Sequence, residues 1–431
     1  MRRRRLGRCA VAGAMAAALL VGSVPSAAFA LDTDAEFWAN AYGVETAHAA
    51  GLTGAGVKIA VIDKQINPAL PVFAGRNLTV SDMQVCKTPT SAVSDVATSD
   101  SRHGSLMAAL IIGNGQGPGS IKGMAPDADI TFYGYGPSDS GTCRPNTDLE
   151  ISTFGYLVKT AVDDGAEIIT TSVTTGADER DASAIAYALA RGVVIITAEP
   201  NADILADMET DIGGMNGVVA ASMIDPNGDL QKDNTGAAFV IPQTTVVAAG
   251  SIFPSAGIDG DWNTAARTGG SSLAAPLVAG MLALAAQKTP QATGNQLVQA
   301  LLATTNASVH EPTRTEDGYG YGAAWLPTLL SVDPTQFPDV SPLMGESAGK
   351  TVSFPTQEQI DTAEAEGFVP TPAPGKFFDL YEDSAEPVGF DVMSLVPWVV
   401  GGIVVLVLIG AAITLIVVIT QRRKTGKGRT S

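Results

Sequence analysis

The sequence predicts an α/β domain built on a doubly wound, mostly parallel sheet. Two observations support this fold class. Short apolar runs of strand length alternate with helix-like stretches, and the first such run, VKIAVI at residues 57–62, has the character of a buried strand. Alternating strands and helices imply crossover connections, and these produce a parallel sheet covered on both faces. The ligands of such a domain lie at the carboxyl ends of its strands.

The predicted elements follow one another between about residues 54 and 305. Strands are expected at residues 57–62, 130–133, 167–171, 193–197, 218–221 and 245–248. Helices are expected at residues 104–112, 149–161 and 181–190, and an apolar helix follows Ser272 towards Ala286. The domain as a whole is expected to occupy residues 31–334.

Residues 1–30 have the features of a secretory signal peptide. Five arginines flank the start of a short apolar stretch at residues 9–21, and Ala28-Phe29-Ala30 forms an A-x-A cleavage pattern. The alternative is an uncleaved N-terminal anchor, but the apolar stretch is short for a membrane span. We therefore expect the mature chain to begin near Leu31.

The C-terminal end predicts a single transmembrane helix. Residues 396–420 are apolar without a charge, and this length is enough to cross a hydrocarbon layer of roughly 30 Å. By the positive-inside rule, the basic tail at residues 421–431 is expected to be cytoplasmic. That places residues 31–395 on the extracytoplasmic side of the cell membrane. A buried core helix is the alternative, although only the basic tail follows this segment.

Residues 335–395 differ in composition from the domain that precedes them. They carry seven prolines and scattered acidic residues with little periodicity. This composition predicts an extended, largely disordered, Pro-rich acidic stalk between the domain and the membrane. Short apolar clusters such as Phe377-Phe378 offer an alternative, in which the segment docks on the domain.

The charge of the chain argues against nucleic acid as a partner. The formal net charge is −18, yet residues 1–30 hold five arginines, the C-terminal tail holds five basic residues, and neither holds an acid. The rest of the chain therefore carries 16 basic and 44 acidic side chains. Such a surface repels nucleic acid and anionic lipid.

Two cysteines, Cys86 and Cys143, remain outside the signal segment. An even pair in an exported domain favours one disulfide between them, with two free buried thiols as the alternative. No zinc or cofactor signature is present in the sequence, and the acidic cluster at residues 225–229 favours a turn, with a calcium site as the alternative. We expect neither a metal nor a cofactor.

Three polar residues lie at strand ends or helix starts of the predicted sheet. Asp63 ends the first strand, His103 opens the following helix, and Ser271-Ser272 opens the apolar helix in GGSSLAAPLVAG. Nucleophilic catalysis needs a hydroxyl, a base within hydrogen-bond reach and a third group that orients the base. Each residue alone has a simpler interpretation, because Asp commonly serves in turns and Ser commonly caps helices. Together they predict a Ser/His/Asp catalytic set.

These stretches resemble the subtilisin-like serine peptidases over roughly residues 38–330. VKIAVID is similar to the family's first strand and aspartate, HGSLMAALIIG to its histidine helix, and GSSLAAPLVAG to its nucleophile signature. The resemblance implies a serine endopeptidase that acts on protein or peptide, with Asp63, His103 and Ser272 as its catalytic residues.

Two further stretches carry the same resemblance. GVVIITAEPN is similar to the strand that leads to the family's oxyanion-hole asparagine, which implies this role for Asn201. EIITTSVTTG is similar to the strand that pairs with substrate backbone, which implies substrate binding by Ser172, Val173 and Thr174.

The chain departs from the family pattern beside two of these residues. Lys64-Gln65 follows the aspartate where the family usually has Thr-Gly, and Gln enters left-handed geometry less easily than Gly. Glu199-Pro200 precedes the asparagine in place of Ala-Gly, and proline restricts the backbone of both positions. An alternative hypothesis therefore stays open: a catalytically impaired pseudoprotease that acts as a structural or docking component of a membrane complex.

The order of the segments is similar to that of mycosins, the membrane-anchored subtilisin-like proteases of actinobacterial type VII secretion systems. This resemblance implies a secretion-system membrane complex as a partner. A sensor that signals across the membrane is disfavoured, because only 11 residues follow Thr420.

Overall fold

The computed structural model describes residues 37–83, 91–136, 151–173, 176–203 and 211–368. In chain order, the helices and strands in these ranges are α1 (Phe37–Ala41), α2 (Val44–Ala49), β1 (Lys58–Asp63), β2 (Leu78–Val80), α3 (Ser99–Ile112), β3 (Asp129–Gly134), α4 (Thr153–Asp163), β4 (Ile168–Thr171), α5 (Ala182–Ala190), β5 (Val194–Ala198), β6 (Val219–Ile224), β7 (Val246–Ala249), β8 (Phe253–Ile258), β9 (Asp261–Thr268), α6 (Ala274–Lys288), α7 (Gly294–Ala303), α8 (Leu326–Leu329) and α9 (Gln357–Glu366).

The central sheet has seven parallel strands in the order β2-β3-β1-β4-β5-β6-β7. This confirms the predicted fold class, a doubly wound, mostly parallel sheet. The strand order reverses at β1, which pairs with β3 on one side and β4 on the other. In open α/β sheets such a switch point forms the crevice in which ligands bind. Asp63, the last residue of β1, therefore lies at the expected position for a site.

Helix α6 runs through the hydrophobic core. Every residue from Ala274 to Ala286 is buried, and the helix packs against β4, β5, β6, β7 and α3. A helix that is apolar on all sides is stable only inside a protein. Pro276 is tolerated because the N–H groups of the first turn have no helical partner. The buried helix thus fixes the position of the serine turn that precedes it.

A two-stranded antiparallel hairpin of β8 and β9 lies outside the predicted elements. Phe253 anchors β8 to the core by stacking on Trp38, with ring centroids 5.7 Å apart. Asp259 and Gly260, at the hairpin turn, both have positive φ angles, 46° and 89°. An Asp-Gly pair between two strands is a strong local signal for a hairpin. The prediction from the sequence therefore missed this hairpin, although Asp259-Gly260 signals its turn.

The segment after residue 334 corrects one prediction. The sequence predicts a disordered stalk from residue 335, but residues 335–368 pack on the domain. Helix α9 lies against α5 and begins with a capping box at Thr356 and Gln359. The buried residues of this segment are Leu343, Ala348, Lys350, Pro355, Ile360 and Ala363. Its prolines do not prevent packing, since Pro355 is buried and its carbonyl accepts a 3.0 Å hydrogen bond from Asn216 Nδ2. The boundary predicted at residue 334 is therefore too early.

Several predictions fall on residues outside the described ranges. These are the signal peptide, the transmembrane segment, the basic tail, Phe377-Phe378 and the cysteine pair, Cys86 and Cys143. Across residues 37–368, with the gaps given above, no helix combines the length and apolar character needed to cross a membrane.

Candidate active site

Asp63 is held rigidly at the carboxyl end of β1. Its side chain is fully buried, and its Oδ1 accepts a hydrogen bond of 2.7 Å from the backbone N–H of Lys64. Its own carbonyl accepts from the backbone N–H of Tyr135 at 2.7 Å. The aspartate that follows the first predicted strand is therefore a fixed, inward-facing carboxylate.

His103 lies in the first half of α3 and meets this carboxylate. Its Nδ1 is 3.0 Å from each of the two carboxylate oxygens of Asp63. An ionised carboxylate only accepts hydrogen bonds, so Nδ1 carries the proton and Nε2 is left with a free lone pair. The His103 side chain is 34% exposed, which leaves the ring accessible from solvent. This geometry suits a base that is oriented by a buried acid.

The surroundings of His103 change its basicity. Burial lowers its pKa, whereas the charge and hydrogen bond of Asp63, together with the charge of Asp100, raise it. The positive charge of Lys64 opposes these groups. The net result is a pKa above the ordinary value of 6.5. The Asp63 carboxylate therefore favours the imidazolium that forms when this base takes up a proton.

A glycine allows α3 to approach β1 and β3. A Cβ on Gly104 would lie 2.2 Å from the carbonyl oxygen of Gln65 and 2.9 Å from the Phe132 ring. Real side chains do not tolerate such contacts, so the helix would have to shift. Gly104 thus sets the distance between His103 and the strand that carries Asp63.

We expect Gly104→Ala to lower the free energy of unfolding. Overpacking costs about 1–3 kcal/mol, which exceeds the about 0.5–1 kcal/mol gained by replacing glycine in a helix. Peptide turnover should fall as well, because His103 would move away from Asp63. The measurements are chemical denaturation and kcat. As a control, Gly280→Ala in α6 also overpacks the core, against Cβ and Cγ of Met124 at 2.6 Å. It lies outside the helix that carries His103, so it should lower stability without the loss of kcat that a displaced base causes. An unchanged stability and kcat in Gly104→Ala would contradict this account.

Ser272 lies in the 3₁₀ turn Ser271–Leu273, directly before α6. This turn contacts α3, the helix that carries His103. The carbonyl of Ser272 accepts a 2.7 Å hydrogen bond from the Ser172 hydroxyl, which ties the turn to the end of β4. Among the described residues, the Ser272 hydroxyl has no hydrogen-bond partner of its own. Catalytic hydrogen bonds of unliganded enzymes are commonly long and tighten only with substrate.

Asn201 faces the same serine turn, although Pro200 precedes it. Its Oδ1 accepts from the backbone N–H of Ser271 at 3.0 Å and lies 3.2 Å from Ser271 Oγ, whose proton is donated to the Glu199 carbonyl. Because Oδ1 accepts from the backbone N–H, the Nδ2 end of the carboxamide is turned away from it. A Cβ on Gly270, whose φ is 150°, would lie 3.1–3.2 Å from the amide atoms of Asn201. Glycine there lets the carboxamide sit close to the turn.

The remaining predicted residues are only partly covered. Ser172 is buried after β4, Val173 follows it, and Thr174 lies outside the described ranges.

Asp225, in the predicted acidic turn, accepts from the backbone N–H groups of Asn227 and Asp229, at 2.8 and 3.0 Å. Across the described part of the chain, no group of three or more His, Cys, Asp or Glu side chains is arranged to hold a metal.

The carboxyl edge of this sheet carries an aspartate–histidine pair next to a serine turn that opens a buried helix. A fold and site of this kind define a subtilisin-like serine peptidase. Residues 54–322 match the model of the subtilase family, Peptidase_S8, and the chain belongs to that family.

Three relatives illustrate this relationship. The minor extracellular protease Vpr of Bacillus subtilis (strain 168) is 32% identical over 162 residues, which are 35% of this chain and only 18% of Vpr. Fervidolysin of Fervidobacterium pennivorans, a keratinolytic enzyme related to subtilisin, has a TM-score of 0.52 and 20% identity over 72% of this chain and 46% of its own. MycP1 from the ESX-1 type VII secretion system has a TM-score of 0.52 and 22% identity over 71% of this chain and 88% of its own. Fervidolysin and MycP1 therefore share the fold of this chain.

Proposed function

We propose that this protein is a membrane-anchored, extracytoplasmic serine endopeptidase that serves a type VII secretion system. The observation that carries the enzymatic part is the 3.0 Å approach of His103 to both oxygens of a buried Asp63, beside the turn that bears Ser272. A carboxylate, an imidazole and a hydroxyl in this order provide an orienting group, a base and a nucleophile.

The proposed reaction has two steps. In acylation, Nε2 of His103 takes the proton of the Ser272 hydroxyl while its oxygen attacks the scissile carbonyl, and Asp63 stabilises the imidazolium. The peptide C–N bond then breaks, and His103 returns the proton to the leaving amine. In deacylation, His103 removes a proton from water as the water oxygen attacks the acyl ester. The ester C–O bond then breaks, His103 returns the proton to Ser272 Oγ, and the carboxylic acid product leaves. The negative oxygen of each tetrahedral intermediate is bound by Nδ2 of Asn201 and the backbone N–H of Ser272.

The substrate is proposed to be an extended segment of protein or peptide. Ser172 and Val173 follow β4 at the carboxyl edge of the sheet, and Ser172 is hydrogen-bonded to the serine turn. Backbone groups at such a position bind an extended chain by β-strand addition, which orients a peptide regardless of its side chains. This mode of binding presents the scissile carbonyl to Ser272.

The proposed location and partner have separate support. The apolar segment at residues 396–420 and the basic tail after it favour a single span with the catalytic domain outside. MycP1, which belongs to a type VII secretion system, shares the fold over most of its length. The order of segments in this chain is similar to that of mycosins. We therefore propose a secretion-system membrane complex as the partner.

A membrane-impermeant fluorophosphonate added to intact cells that express the full chain tests this proposal. We expect covalent labelling on Ser272, located by mass spectrometry of the modified peptide, and retention of the labelled protein in the membrane pellet after an alkaline carbonate wash. Ser271→Ala is the matched control, because it removes the adjacent hydroxyl and should keep the label. A folded protein that remains unlabelled would instead support the pseudoprotease hypothesis, and labelled protein in the wash would contradict membrane anchoring.

A further inference from the structure

Glu199 connects the oxyanion-hole candidate to the interior of the domain. It follows β5 and is only 2% exposed. Its backbone N–H donates to the carbonyl of Ala221 at 2.9 Å, and its carbonyl accepts from the Ser271 hydroxyl. Its backbone therefore bridges β6 and the serine turn, while its side chain points inward.

The Glu199 carboxyl group meets a second buried acid, Asp211. A Cβ on Gly213 would lie 2.8 Å from Asp211 Oδ1 and 3.1 Å from Glu199 Oε1, so both carboxyl groups converge on this glycine. Asp211 accepts from the backbone N–H of Gly213 at 2.7 Å and from Gln243 Nε2 at 3.1 Å. If both acids were ionised, neither oxygen of Glu199 would have a hydrogen-bond donor among the described residues.

A proton on Glu199 resolves this arrangement. Burial, the charge of Asp211 and the hydrogen bond between the two side chains raise the pKa of Glu199 well above its ordinary value. Two neighbouring carboxyl groups in a buried site cannot both ionise, so one keeps its proton. Glu199 then donates to the Asp211 carboxylate. Glutamic acid at this position acts as a neutral donor.

Lys350, in the segment that the sequence predicts to be disordered, completes the cluster. Its side chain is buried, and its Nζ donates to the carbonyls of Gly213 at 2.8 Å and Val218 at 2.5 Å. Burial lowers the pKa of Lys350 to about 7, although the negative charge of the Glu199–Asp211 pair opposes this effect and Arg314 adds to it. Within the described ranges, these four titratable groups face one another here.

We infer that Glu199, Asp211 and Lys350 form a positioning cluster that holds Asn201 in place for the reaction, and that the C-terminal segment therefore contributes to catalysis. The inference rests on the proposed function. Only Pro200 separates Glu199 from Asn201, and its fixed φ makes this connection stiff. A buried polar cluster adds little stability over apolar side chains of similar volume. The cluster does fix the orientation of the loop that carries Asn201, because hydrogen bonds are directional.

Variants at position 199 separate positioning from simple packing. Glu199→Gln keeps a neutral donor towards Asp211 and should retain kcat within about twofold. Glu199→Met has a similar length without a donor. It should lower kcat by about tenfold, less than the loss of the asparagine itself, because the carboxamide is displaced and not removed. KM should change little for either variant. Lys350→Met should resemble Glu199→Met, and melting temperatures would identify any variant that fails to fold.

The decisive test is a double-mutant cycle with Asn201→Ala. If the cluster acts through Asn201, Glu199→Met should cause no further loss of kcat once Asn201 is gone. The same tenfold loss in both backgrounds would overturn the inference, as would a Glu199→Gln variant as impaired as Glu199→Met. Wild-type protein that neither hydrolyses peptides nor reacts with a fluorophosphonate would overturn the proposed function, and the inference with it, before any variant is made.

Discussion

His103→Ala should lower kcat for peptide hydrolysis by about 10²–10⁴, the usual contribution of a general base. The variant removes the imidazole that the buried Asp63 orients, while the sheet and α3 stay in place. The measurements are kcat on a peptide ester and the rate of fluorophosphonate labelling. Ser272→Ala, which has no nucleophile, sets the background. A His103→Ala variant that is labelled as fast as wild type would contradict the assignment of the base.

The pH dependence of the parent enzyme provides a second measure of the same group. His103 accepts a proton only when neutral, and its pKa lies above 6.5 mainly because Asp63 outweighs the effect of burial. Activity, as kcat/KM, should therefore fall as pH decreases through a midpoint above 6.5. In Asp63→Asn the charge that raises the pKa is lost, and the midpoint should move to lower pH. A midpoint that does not respond to Asp63→Asn would assign the titration to another group.

Asn201→Ala should lower kcat by about 10²–10³, the cost of losing one oxyanion donor, a range that comes from subtilisin itself. KM should change little, because the donor acts on charge that develops in the transition state. Asn201→Asp is the sharper variant. It retains an oxygen for the N–H of Ser271 but replaces the Nδ2 donor with a negative group.

The two variants at position 201 therefore distinguish two roles of the side chain. Asn201→Asp should be at least as impaired as Asn201→Ala if donation to the oxyanion matters. An aspartate variant close to wild type would mean that Asn201 serves only to hold the Ser271 backbone. The comparison is made with the same peptide ester and with melting temperatures to confirm folding.

The parallel sheet could be predicted because most of its strands are short apolar runs, which can be recognised in the sequence. Site residues at strand ends, such as Asp63, could also be predicted from the sequence, since sites form at the carboxyl edge of a parallel sheet. The family resemblance added the choice of Ser272 over Ser271. These predictions depend on local patterns and on general rules of α/β folds.

The features that the sequence did not predict depend on distant partners. Residues 335–368 have few apolar side chains, and they are buried against a surface that α5 and residues 213–218 provide. A buried lysine is rare, and Lys350 is buried only because Gly213 and Val218, more than 130 positions earlier, offer it carbonyl groups. The inward turn of Glu199 likewise depends on Asp211. The local composition of a segment does not predict such contacts with residues far away in the sequence.

Under the proposed membrane anchoring, the docking of residues 335–368 on the domain also limits the volume in which this enzyme can work. A free stalk from residue 335 would have let the catalytic domain swing far from the bilayer. If residues 396–420 cross the membrane, only residues 369–395 link the domain to the bilayer. Fully extended, this linker would span at most about 95 Å. The domain would then stay within about 95 Å of the bilayer surface. A substrate would have to enter this layer, as a chain emerging from a membrane pore does.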